Sequence, residues 1–332
     1  MSLSIIIVNY RATDLILDAL GSFLPFQETE QPEIIIADNG NPSAEKERLQ
    51  SAFPAVKIIN LGYNAGFARA NNAGIRAASG DTILLLNPDI LDPQHSIESC
   101  YHRFQQDSCI AAAVQLLNED GSPQITGNYF VRGGLNLLLP LPVIGFLVKS
   151  LGQLVGAKKP NLPNSSTTVK VDWINGAFMM VRKELLANTG LLDEEFFLYA
   201  EEIEWCARLK KAGDILVYGD LNLIHLQGES ANKSFGSAGK GYYNLYDKKG
   251  LQLMVSNFLR IRKQFGAGWL LVHLFFYGLE IPLLLLRVFF GLLPGMNAFP
   301  FQKWIGYCKN YIQLWKQIPA MLFRKSHFYK ML

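Results

Sequence analysis

The sequence predicts an α/β fold with a mostly parallel, mixed β-sheet and helices on both faces of that sheet. Up to about residue 117, short β-branched runs are continuously apolar instead of alternating, and stretches with helical spacing separate them. Continuous apolar runs indicate strands buried on both faces, and parallel strands are joined through helices of this kind. Polar or turn-forming residues end several of the runs, as expected for loops at a sheet edge.

Five apolar runs predict the strands, and residues at helical spacing predict the helices between them. The strands are 4–10, 33–38, 56–61, 82–86 and 109–117, and the helices are 14–24, 66–79 and 93–106. We expect Thr13 to be the N-cap of the first helix, because its hydroxyl oxygen can accept from an early backbone N–H.

The chain after residue 117 is less regular. Residues 133–156 are rich in Leu, Pro and Gly, and residues 158–168 are polar, so we interpret 133–168 as an insert. Regular structure returns with sheet-like residues 169–181, a helix at 199–212 and a strand at 215–218. We therefore predict a first domain over 1–234 and a C-terminal helical region over 235–332.

Composition excludes several classes of protein. Hydrophobic residues make up 49% and charged residues 18%, which argues against a disordered chain. A net charge of +3 gives no support for a nucleic-acid partner. The four cysteines are far apart without a C-x-x-C pair, which favours a reducing cytoplasm over a disulfide framework. The apolar run 5–8 is too short for a signal peptide, so we expect a cytoplasmic N-terminus.

Polar residues follow three of the predicted strands directly. Asn9, Asp38 and Asp89 each stand at or just beyond the end of an apolar run. Ligands of open parallel sheets bind beyond the carboxyl ends of the strands, so we expect the three residues to converge on one crevice. A carboxylate at Asp89 suits Mg²⁺ or Mn²⁺ shared with substrate phosphates, although a turn in which Asp89 caps the next helix explains the same residues.

Three further groups admit two interpretations each. Glu201, Glu202 and Glu204 suit the positive end of a helix dipole, but beside Trp205 a half-buried carboxylate can serve as a general base. His225 is either a hydrogen-bonded core residue or, near Gly228, a phosphate or metal contact. The segment 173–177 is either ordinary packing or a floor for a bound sugar.

Two common nucleotide-binding signatures are absent from the sequence. No G-x-G-x-x-G follows the first strand, and G-x-x-x-x-G-K-[ST] does not occur. This argues against an NAD dehydrogenase and a P-loop NTPase.

The ordered set of these pieces resembles the family 2 glycosyltransferases, and within them the rhamnosyltransferase-like branch that builds bacterial surface polysaccharides. The resemblance covers roughly residues 3–230. The segments that carry it are IIIVNY at 5–10, IIADNG at 35–40, NAGFARANNAG at 64–74, LLLNPD at 84–89, WINGA at 173–177, GLLDE at 190–194, FFLYAEEIE at 196–204 and HLQGES at 225–230.

The resemblance implies a GT-A fold, a nucleotide-diphosphate sugar donor, a divalent cation and inversion at the anomeric carbon. By position, Asp38 holds the nucleobase or ribose, Asp89 binds the cation through the donor diphosphate, and His225 lies near the diphosphate or metal. The residues implied in donor binding are Asn9, Tyr10, Asp38, Asn64, Gly66, Arg69, Asn71, Asn87 and Asp89. Those assigned to the acceptor or sugar are Trp173, Asn175, Gly176 and Ala177, and the metal ligands are Asp89 and His225.

The sequence departs from the family pattern at two positions. Asn87 stands where the family has the first acid of the Asp-x-Asp metal motif, so cation binding depends more on Asp89 and on the donor phosphate. Glu201-Glu202 stands where the family has Glu-Asp, which makes Glu202 the expected base but leaves Glu201 as the alternative. The closest branch implies deoxythymidine-diphosphate rhamnose as the donor.

Residues 269–293 are long and apolar enough to span a bilayer as a helix. Their polar exceptions, His273, Glu280 and Arg287, are seven residues apart, so they form one seam along the helix. Because buried charge in a membrane is costly and Pro282 interrupts the run, we expect a helix that lies at the interface or packs on a partner helix. A soluble helical subdomain that covers the sheet or forms a homo-oligomer is the alternative.

Basic residues mixed with aromatic residues in the tail suit an anionic membrane surface. We therefore predict an inverting enzyme at the cytoplasmic face of the bacterial inner membrane that acts on a lipid-linked or glycan acceptor. Two alternatives stay open: a nucleotidyltransferase that makes an activated sugar, and a non-catalytic membrane scaffold of a glycan synthase complex.

Overall fold

The computed structural model describes residues 2–27, 30–226, 235–237, 244–290 and 299–331. The chain forms two compact units. The first comprises Met1–Tyr129, Asn161–Phe197 and Glu201–Ser230, and the second comprises Phe130–Pro160, Leu198–Ala200 and Ala231–Leu332. Of the predicted insert 133–168, residues up to 160 belong to the second unit and residues 161–168 to the first, and the predicted boundary near residue 234 lies outside the described residues.

The first unit is built on a nine-stranded mixed sheet with a small three-stranded sheet beside it. The strands of the large sheet are β1 (Leu3–Asn9), β2 (Glu33–Asp38), β3 (Lys57–Asn60), β4 (Thr82–Leu86), β5 (Ile90–Leu91), β6 (Ala111–Leu117), β9 (Thr168–Val171), β11 (Phe178–Arg182) and β12 (Ile215–His225). Those of the small sheet are β7 (Gly127–Asn128), β8 (Asn161–Leu162) and β10 (Trp173–Ile174).

The strand order of the large sheet is β3-β2-β1-β4-β11-β6-β12-β5, and β9 pairs with β12. Neighbours are parallel from β3 to β4 and between β6 and β12, whereas β11 runs antiparallel to both of its neighbours. The five predicted strands are present, and the predicted α/β class with a mainly parallel, mixed sheet is confirmed. The pattern of continuous burial along β1 and β4 explains why these runs showed no alternation.

Helices connect the strands of the first unit and cover the sheet. They are α1 (Thr13–Phe23), α2 (Ser43–Ala52), α3 (Gly66–Ala77), α4 (Ser96–Gln106), α6 (Leu186–Thr189) and α7 (Glu201–Leu209). α3 packs on β1 and β2, and α4 packs on β6 and β12. The N-cap expected at Thr13 is wrong: Thr13 is already helical, and the side chain of Asn9 accepts from the N–H of Ala12 at 3.2 Å instead.

The second unit is helical. Its helices are α5 (Ile144–Leu154), α8 (Lys248–Phe265), α9 (Ala267–Phe290) and α10 (Phe301–Leu322), and a 3₁₀ segment, Arg132–Leu138, precedes α5. α8, α9 and α10 pack against one another, and α8 and α9 also contact the 3₁₀ segment. Gly133 has a positive φ and lies so close to the Trp269 indole that a Cβ would stand 2.3 Å from the ring.

The polar seam of α9 is used inside this unit. Both ring nitrogens of His273 face carbonyl oxygens, that of Trp269 at 2.9 Å and that of Gly134 at 3.1 Å. The Glu280 carboxylate accepts from the N–H of Val143 at 2.7 Å and from that of Ile144 at 2.9 Å. The seam therefore binds the 3₁₀ segment and the start of α5. The backbone groups there are hydrogen-bond partners for His273 and Glu280, which are both buried.

Among the described residues, α9 is the helix that is long and apolar enough to cross a membrane. About a third of its most apolar stretch is buried within the unit. Length and composition alone do not separate a spanning helix from the core helix of a soluble protein.

Candidate active site

The polar residues that follow the strands meet at one edge of the large sheet. Asn9 pairs in register with Asp38 at the carboxyl ends of β1 and β2, and Ile7 of β1 pairs with Leu86 at the end of β4. Asn9 and Asp38 are fully buried, and Asp89, just beyond β4, is nearly so. The structure therefore places the three residues on the same rim, where ligands of such sheets bind.

Asp38 is fixed by neighbours that sequence reasoning did not single out. Asn41 donates to Oδ1 of Asp38 at 2.6 Å and to the carbonyl of Asn9 at 2.8 Å. Lys46 lies 3.6 Å from Oδ2 of Asp38. Among the described residues, no hydrogen bond reaches this buried oxygen. Buried carboxylate oxygens are ordinarily hydrogen-bonded, so Oδ2 is suited to accept from a ligand hydroxyl or amide.

The loop that leads into α3 is anchored beside this rim. Asn39 donates to Oδ1 of Asn64 at 3.1 Å, and its own Oδ1 accepts from the N–H of Ala65 at 2.8 Å. Gly66 has a φ of +82°, and a Cβ there would stand 2.3 Å from the carbonyl oxygen of Phe197. Glycine is required for both reasons, so Asn64 and Gly66 form a closely packed loop at the sheet edge.

Other predicted donor residues have structural partners in the same region. Arg69 donates through Nε to the carbonyl of Glu194 at 3.1 Å, and Asn71 donates to that of Phe67 at 3.0 Å. Tyr10 is half-buried, with the guanidinium of Arg11 5.4 Å from the centre of its ring. Their roles toward a donor stay predictions.

Asp89 and His225 lie side by side. Oδ1 of Asp89 is 3.4 Å from Nε2 of His225, and β5 connects the two residues through its pairing with β12. Gln124 holds the histidine from behind: its Nε2 donates to the His225 carbonyl at 2.7 Å, and its Oε1 lies 2.8 Å from Nδ1. Asn87 is at the limit of hydrogen-bond range, with Nδ2 3.5 Å from Nε2 of His225.

The contact with Gln124 bears on the tautomer of His225. Because an amide oxygen only accepts, the contact favours a proton on Nδ1, and in that neutral tautomer Nε2 presents its lone pair toward Asp89. Two ligands that each stand about 2.1 Å from one ion are about 3 Å apart when they bind at right angles. The Asp89–His225 pair therefore fits a divalent cation in both chemistry and spacing.

The described residues contain no group of three or more His, Cys, Asp and Glu side chains that forms a complete metal cage. Mg²⁺ and Mn²⁺ commonly take only one or two protein ligands and complete their shell with substrate phosphate and water.

The predicted base lies at the start of α7. The chain enters this helix through two left-handed residues, Tyr199 and Ala200, with φ of +74° and +68°. Glu201, Glu202 and Glu204 are all buried, and the Glu204 carboxylate accepts from Nε of Arg208 at 2.9 Å and from its Nη2 at 2.7 Å. Left-handed non-glycine residues cost free energy and concentrate at functional sites.

The predicted acceptor segment connects Asn87 with Glu202. The N–H of Asn87 donates to the carbonyl of Ala177 at 2.9 Å, and Oδ1 of Asn175 accepts from the N–H of Ala177 at 2.9 Å. A Cβ at Gly176 would stand 3.4 Å from Cβ and Cγ of Glu202. The segment is therefore a tight turn with Glu202 against it.

Trp173 is half-buried in β10 and packs against the core of the first unit. Burial raises the pKa of the nearby Cys206 thiol to about 12. That thiol stays protonated at neutral pH and is not a nucleophile.

Strand order sets the length of the site. From β2, which carries Asp38, to β11, which follows Ala177, the sheet advances by three strand spacings, about 14 Å. The far end of the site is formed by contacts that lead from Asp89 through Asn87, Ala177 and Gly176 to Glu202. The structure thus brings the predicted nucleotide, cation and base residues together along one sheet edge.

Sequence reasoning missed three residues of this edge. Asn41 and Lys46 follow the second predicted strand, 33–38, and no sequence pattern assigned either of them a role. Gln124 is 101 residues from His225, and no local pattern connects the two. Residues 227–230, the rest of the predicted His225 motif, lie outside the described residues.

Residues 4–141 match the family model described as Glycosyl transferase family 2. Over 214 residues the chain is 29% identical to the low-salt glycan biosynthesis hexosyltransferase Agl10 of Haloferax volcanii, a match that covers 63% of this chain and 62% of the relative. It is 29% identical to rhamnosyltransferase WbbL of Escherichia coli, covering 64% and 79%. It is 25% identical to N-acetylglucosaminyl-diphospho-decaprenol L-rhamnosyltransferase of Mycobacterium tuberculosis, covering 57% and 65%.

The chain thus matches less than two thirds of the length of two of these three relatives. Among solved structures it is similar to S. aureus TarS 1-349, with 13% identity and a TM-score of 0.48 over 99% of this chain and 93% of that one.

Proposed function

We propose that this chain, which carries a family 2 glycosyltransferase domain similar to rhamnosyltransferases, transfers a sugar from a nucleotide-diphosphate donor to a hydroxyl of a lipid-linked or polysaccharide acceptor. We propose dTDP-rhamnose as the donor and inversion at the anomeric carbon as the outcome. The observation that carries the proposal is the alignment of Asp38, the Asp89–His225 pair and Glu202 along one sheet edge.

The donor lies along the rim in this proposal. Oδ2 of Asp38 accepts from the nucleoside, since it is buried and its neighbours leave it without a hydrogen bond among the described residues. Asp89 and His225 hold the divalent cation, and Mg²⁺ or Mn²⁺, when bound, neutralises charge on the leaving diphosphate.

Glu202 acts on the acceptor hydroxyl, because its side chain lies against the turn at Gly176 that leads back to Asn87. The acceptor oxygen attacks the anomeric carbon, the bond from that carbon to the diphosphate oxygen breaks, and the hydroxyl proton passes to the Glu202 carboxylate. Attack opposite the leaving group inverts the centre. A carboxylate positioned to take a proton contributes about 10²–10⁴-fold to such a step.

A membrane-associated acceptor agrees with the second unit. The name of the Mycobacterium tuberculosis relative specifies an acceptor that carries a diphospho-decaprenol lipid. α9 and α5 both present apolar residues at the surface of the unit, including Phe275, Phe289 and Leu151. We therefore propose that the chain works at the cytoplasmic face of the inner membrane, where such lipids are glycosylated.

The test is a donor screen with the purified full-length protein in the presence of manganese. dTDP-rhamnose, UDP-N-acetylglucosamine and GDP-mannose are each incubated with an N-acetylglucosaminyl diphospho-lipid, and products are identified by mass spectrometry. We expect a new lipid-linked disaccharide and free dTDP from dTDP-rhamnose, with loss of both products in EDTA.

The outcomes separate the proposal from its alternatives. Release of inorganic diphosphate from a sugar phosphate and a nucleoside triphosphate would indicate a nucleotidyltransferase instead. Absence of donor turnover and donor binding with every sugar nucleotide would indicate a non-catalytic scaffold and would contradict the proposal. NMR of the product's anomeric proton decides between inversion and retention.

A further inference from the structure

A cavity of about 400 Å³ lies within the second unit, and none of the site residues assigned above lines it. Four consecutive residues at the start of the α5 region, the side of α5, the end of α9 and two aromatic residues form its walls. The lining residues are Leu139, Pro140, Leu141, Pro142, Phe146, Lys149, Tyr246, Arg287 and Phe299.

The charged residues of this lining are both cationic. Lys149 projects from α5 and Arg287 from α9, and the lining contains no Asp or Glu. The Arg287 guanidinium lies 5.6 Å from the centre of the Phe299 ring, and Nζ of Lys303 lies 5.7 Å from that of Tyr246. Cations on separate helices that face one apolar cavity favour an anionic ligand, and a guanidinium suits the paired oxygens of a phosphate.

The N-terminus of α5 does not provide N–H groups for binding the anion. Its first N–H groups, those of Val143 and Ile144, are already bound to the Glu280 carboxylate. Anion recognition in the cavity therefore depends on the side chains of Lys149 and Arg287. The same carboxylate, with the bond from Tyr277 to the Leu137 carbonyl at 3.0 Å, fixes the cavity wall in advance of any ligand.

Apolar side chains continue from the cavity onto the surface of the unit. Phe146, a lining residue, is 67% exposed, and Leu147, Leu151 and Leu154 follow at helical spacing, with Leu154 82% exposed. Leu286, Phe289 and Phe290 form a similar exposed group around Arg287 on α9. Exposed apolar surface of this extent beside a cationic cavity is matched by a molecule with an anionic head and a hydrocarbon chain.

We propose that this cavity binds the phosphate or diphosphate head of a membrane lipid, with Lys149 and Arg287 on the phosphate and the hydrocarbon chain along α5. Two sources share this chemistry: the polyprenyl diphosphate of a lipid-linked acceptor, which rests on the function proposed above, and the phosphodiester of bilayer phospholipid, which does not. A lipid head-group site would thus lie beside a surface that the sequence alone identifies only as apolar.

The experiment measures binding to the full-length protein without any sugar nucleotide, so that it is independent of transfer. Farnesyl diphosphate, farnesol and inorganic diphosphate are titrated by calorimetry, and flotation is measured with vesicles of phosphatidylglycerol or phosphatidylcholine. The variants are Lys149→Gln/Arg287→Gln, the charge-conserving Arg287→Lys, and a control, Lys57→Gln/Lys211→Gln, which removes two exposed cations of the first unit.

We expect farnesyl diphosphate to bind at least about tenfold more tightly than farnesol or inorganic diphosphate, because both the head and the chain contribute. Lys149→Gln/Arg287→Gln should lose this preference, Arg287→Lys should retain part of it, and the first-unit control should behave as the wild type. Tight farnesyl diphosphate binding assigns the site to the acceptor lipid. If the wild type does not bind farnesyl diphosphate, and the cavity variant no longer floats with phosphatidylglycerol vesicles, the site is assigned to bilayer phospholipid.

Equal behaviour of the cavity variant and the first-unit control in both assays would overturn the proposal. Measurable binding of farnesol that equals the binding of farnesyl diphosphate would do the same, because it would remove the role of the phosphate. Circular dichroism of each variant shows whether a loss reflects misfolding. Failure of the donor screen leaves these results standing, since no step here involves the donor.

Discussion

The sheet edge of the first unit and the helices of the second unit both bury polar side chains, but they use them differently. Along the sheet edge, Oδ2 of Asp38 accepts no hydrogen bond from the described residues, and Asp89 and His225 hold two ligand atoms 3.4 Å apart. In the helical unit, His273 and Glu280 bind backbone groups of residues 134–144.

The difference shows that burial of a polar residue does not by itself mark a site. What distinguishes the sheet edge is that Oδ2 of Asp38 accepts no hydrogen bond from the described residues, and that a carboxylate and an imidazole there face one another at the spacing of two metal ligands. Arg287, the third residue of the seam on α9, lines the cavity and also interacts electrostatically with Glu280.

The largest effect is expected from Glu202→Gln. The amide keeps the shape of the side chain but cannot take the acceptor proton, so we expect kcat to fall about 10²–10⁴-fold. Glu204→Gln is the matched control, because Glu204 pairs with Arg208 and should affect thermal stability with little change in turnover. Initial rates with saturating donor measure both. If Glu201→Gln lost activity while Glu202→Gln kept it, the base would be Glu201.

Asp89→Ala should follow, with a loss of about 10²–10³-fold in transfer. It should also raise the manganese concentration needed for half-maximal rate, since one of two protein ligands is removed. The control is Asp92→Asn, whose carboxylate accepts from the N–H groups of Ser96 and Ile97 at 2.8 and 2.7 Å. That variant should lose thermal stability but keep the manganese dependence. An unchanged manganese titration for Asp89→Ala would rule out its assignment as a ligand.

Much of the first unit was predictable, because its signals are local. Continuous apolar runs predicted β1, β2 and β4 almost to the residue. The short strands β7, β8 and β10 were not predicted individually, since each has two residues and forms only through pairing with distant segments. The Thr13 cap is a local prediction that failed: the helix already includes Thr13, and Asn9 at the end of β1 accepts from the N–H of Ala12.

The candidate site divides in the same way. Asp38 and Asp89 were predictable because parallel strands end at one edge, so position along the strand is enough. Gln124 and Lys46 were not, because their importance comes from tertiary contacts with His225 and Asp38. The polar seam of α9 was visible as a seven-residue repeat, but sequence could not show that residues 134–144 supply its partners.

A smaller effect, on stability, is expected from Gly66→Ala at the sheet edge. The positive φ and the approach of the Phe197 carbonyl each penalise a Cβ, so we expect the free energy of unfolding to fall by about 1–3 kcal/mol. Gly21→Ala is the control, because Gly21 is inside α1 with nothing within 4 Å of its Cβ position. That substitution should stabilise the protein by about 0.5–1 kcal/mol. Urea unfolding measures both, and equal signs for the two variants would contradict the close packing at Gly66.

The smallest effect tests the helical unit through pH. Burial lowers the pKa of His273 from its ordinary 6.5, and Arg260 acts in the same direction, against the carbonyls of Trp269 and Gly134. The unfolded chain therefore takes up a proton at a pH where the folded chain does not. Stability from this group is present above pH 6.5 and is lost as pH falls toward the lowered pKa of the folded state.

His273→Gln should remove this loss, so the melting temperature of the variant should fall less than that of the wild type between about pH 7 and pH 5. Glu280 contributes the opposite slope, because burial raises its pKa, but it is present in both proteins and cancels in the difference. The exposed His327→Gln serves as the control and should follow the wild-type curve. Parallel curves for His273→Gln and the wild type would mean that His273 is not desolvated in solution.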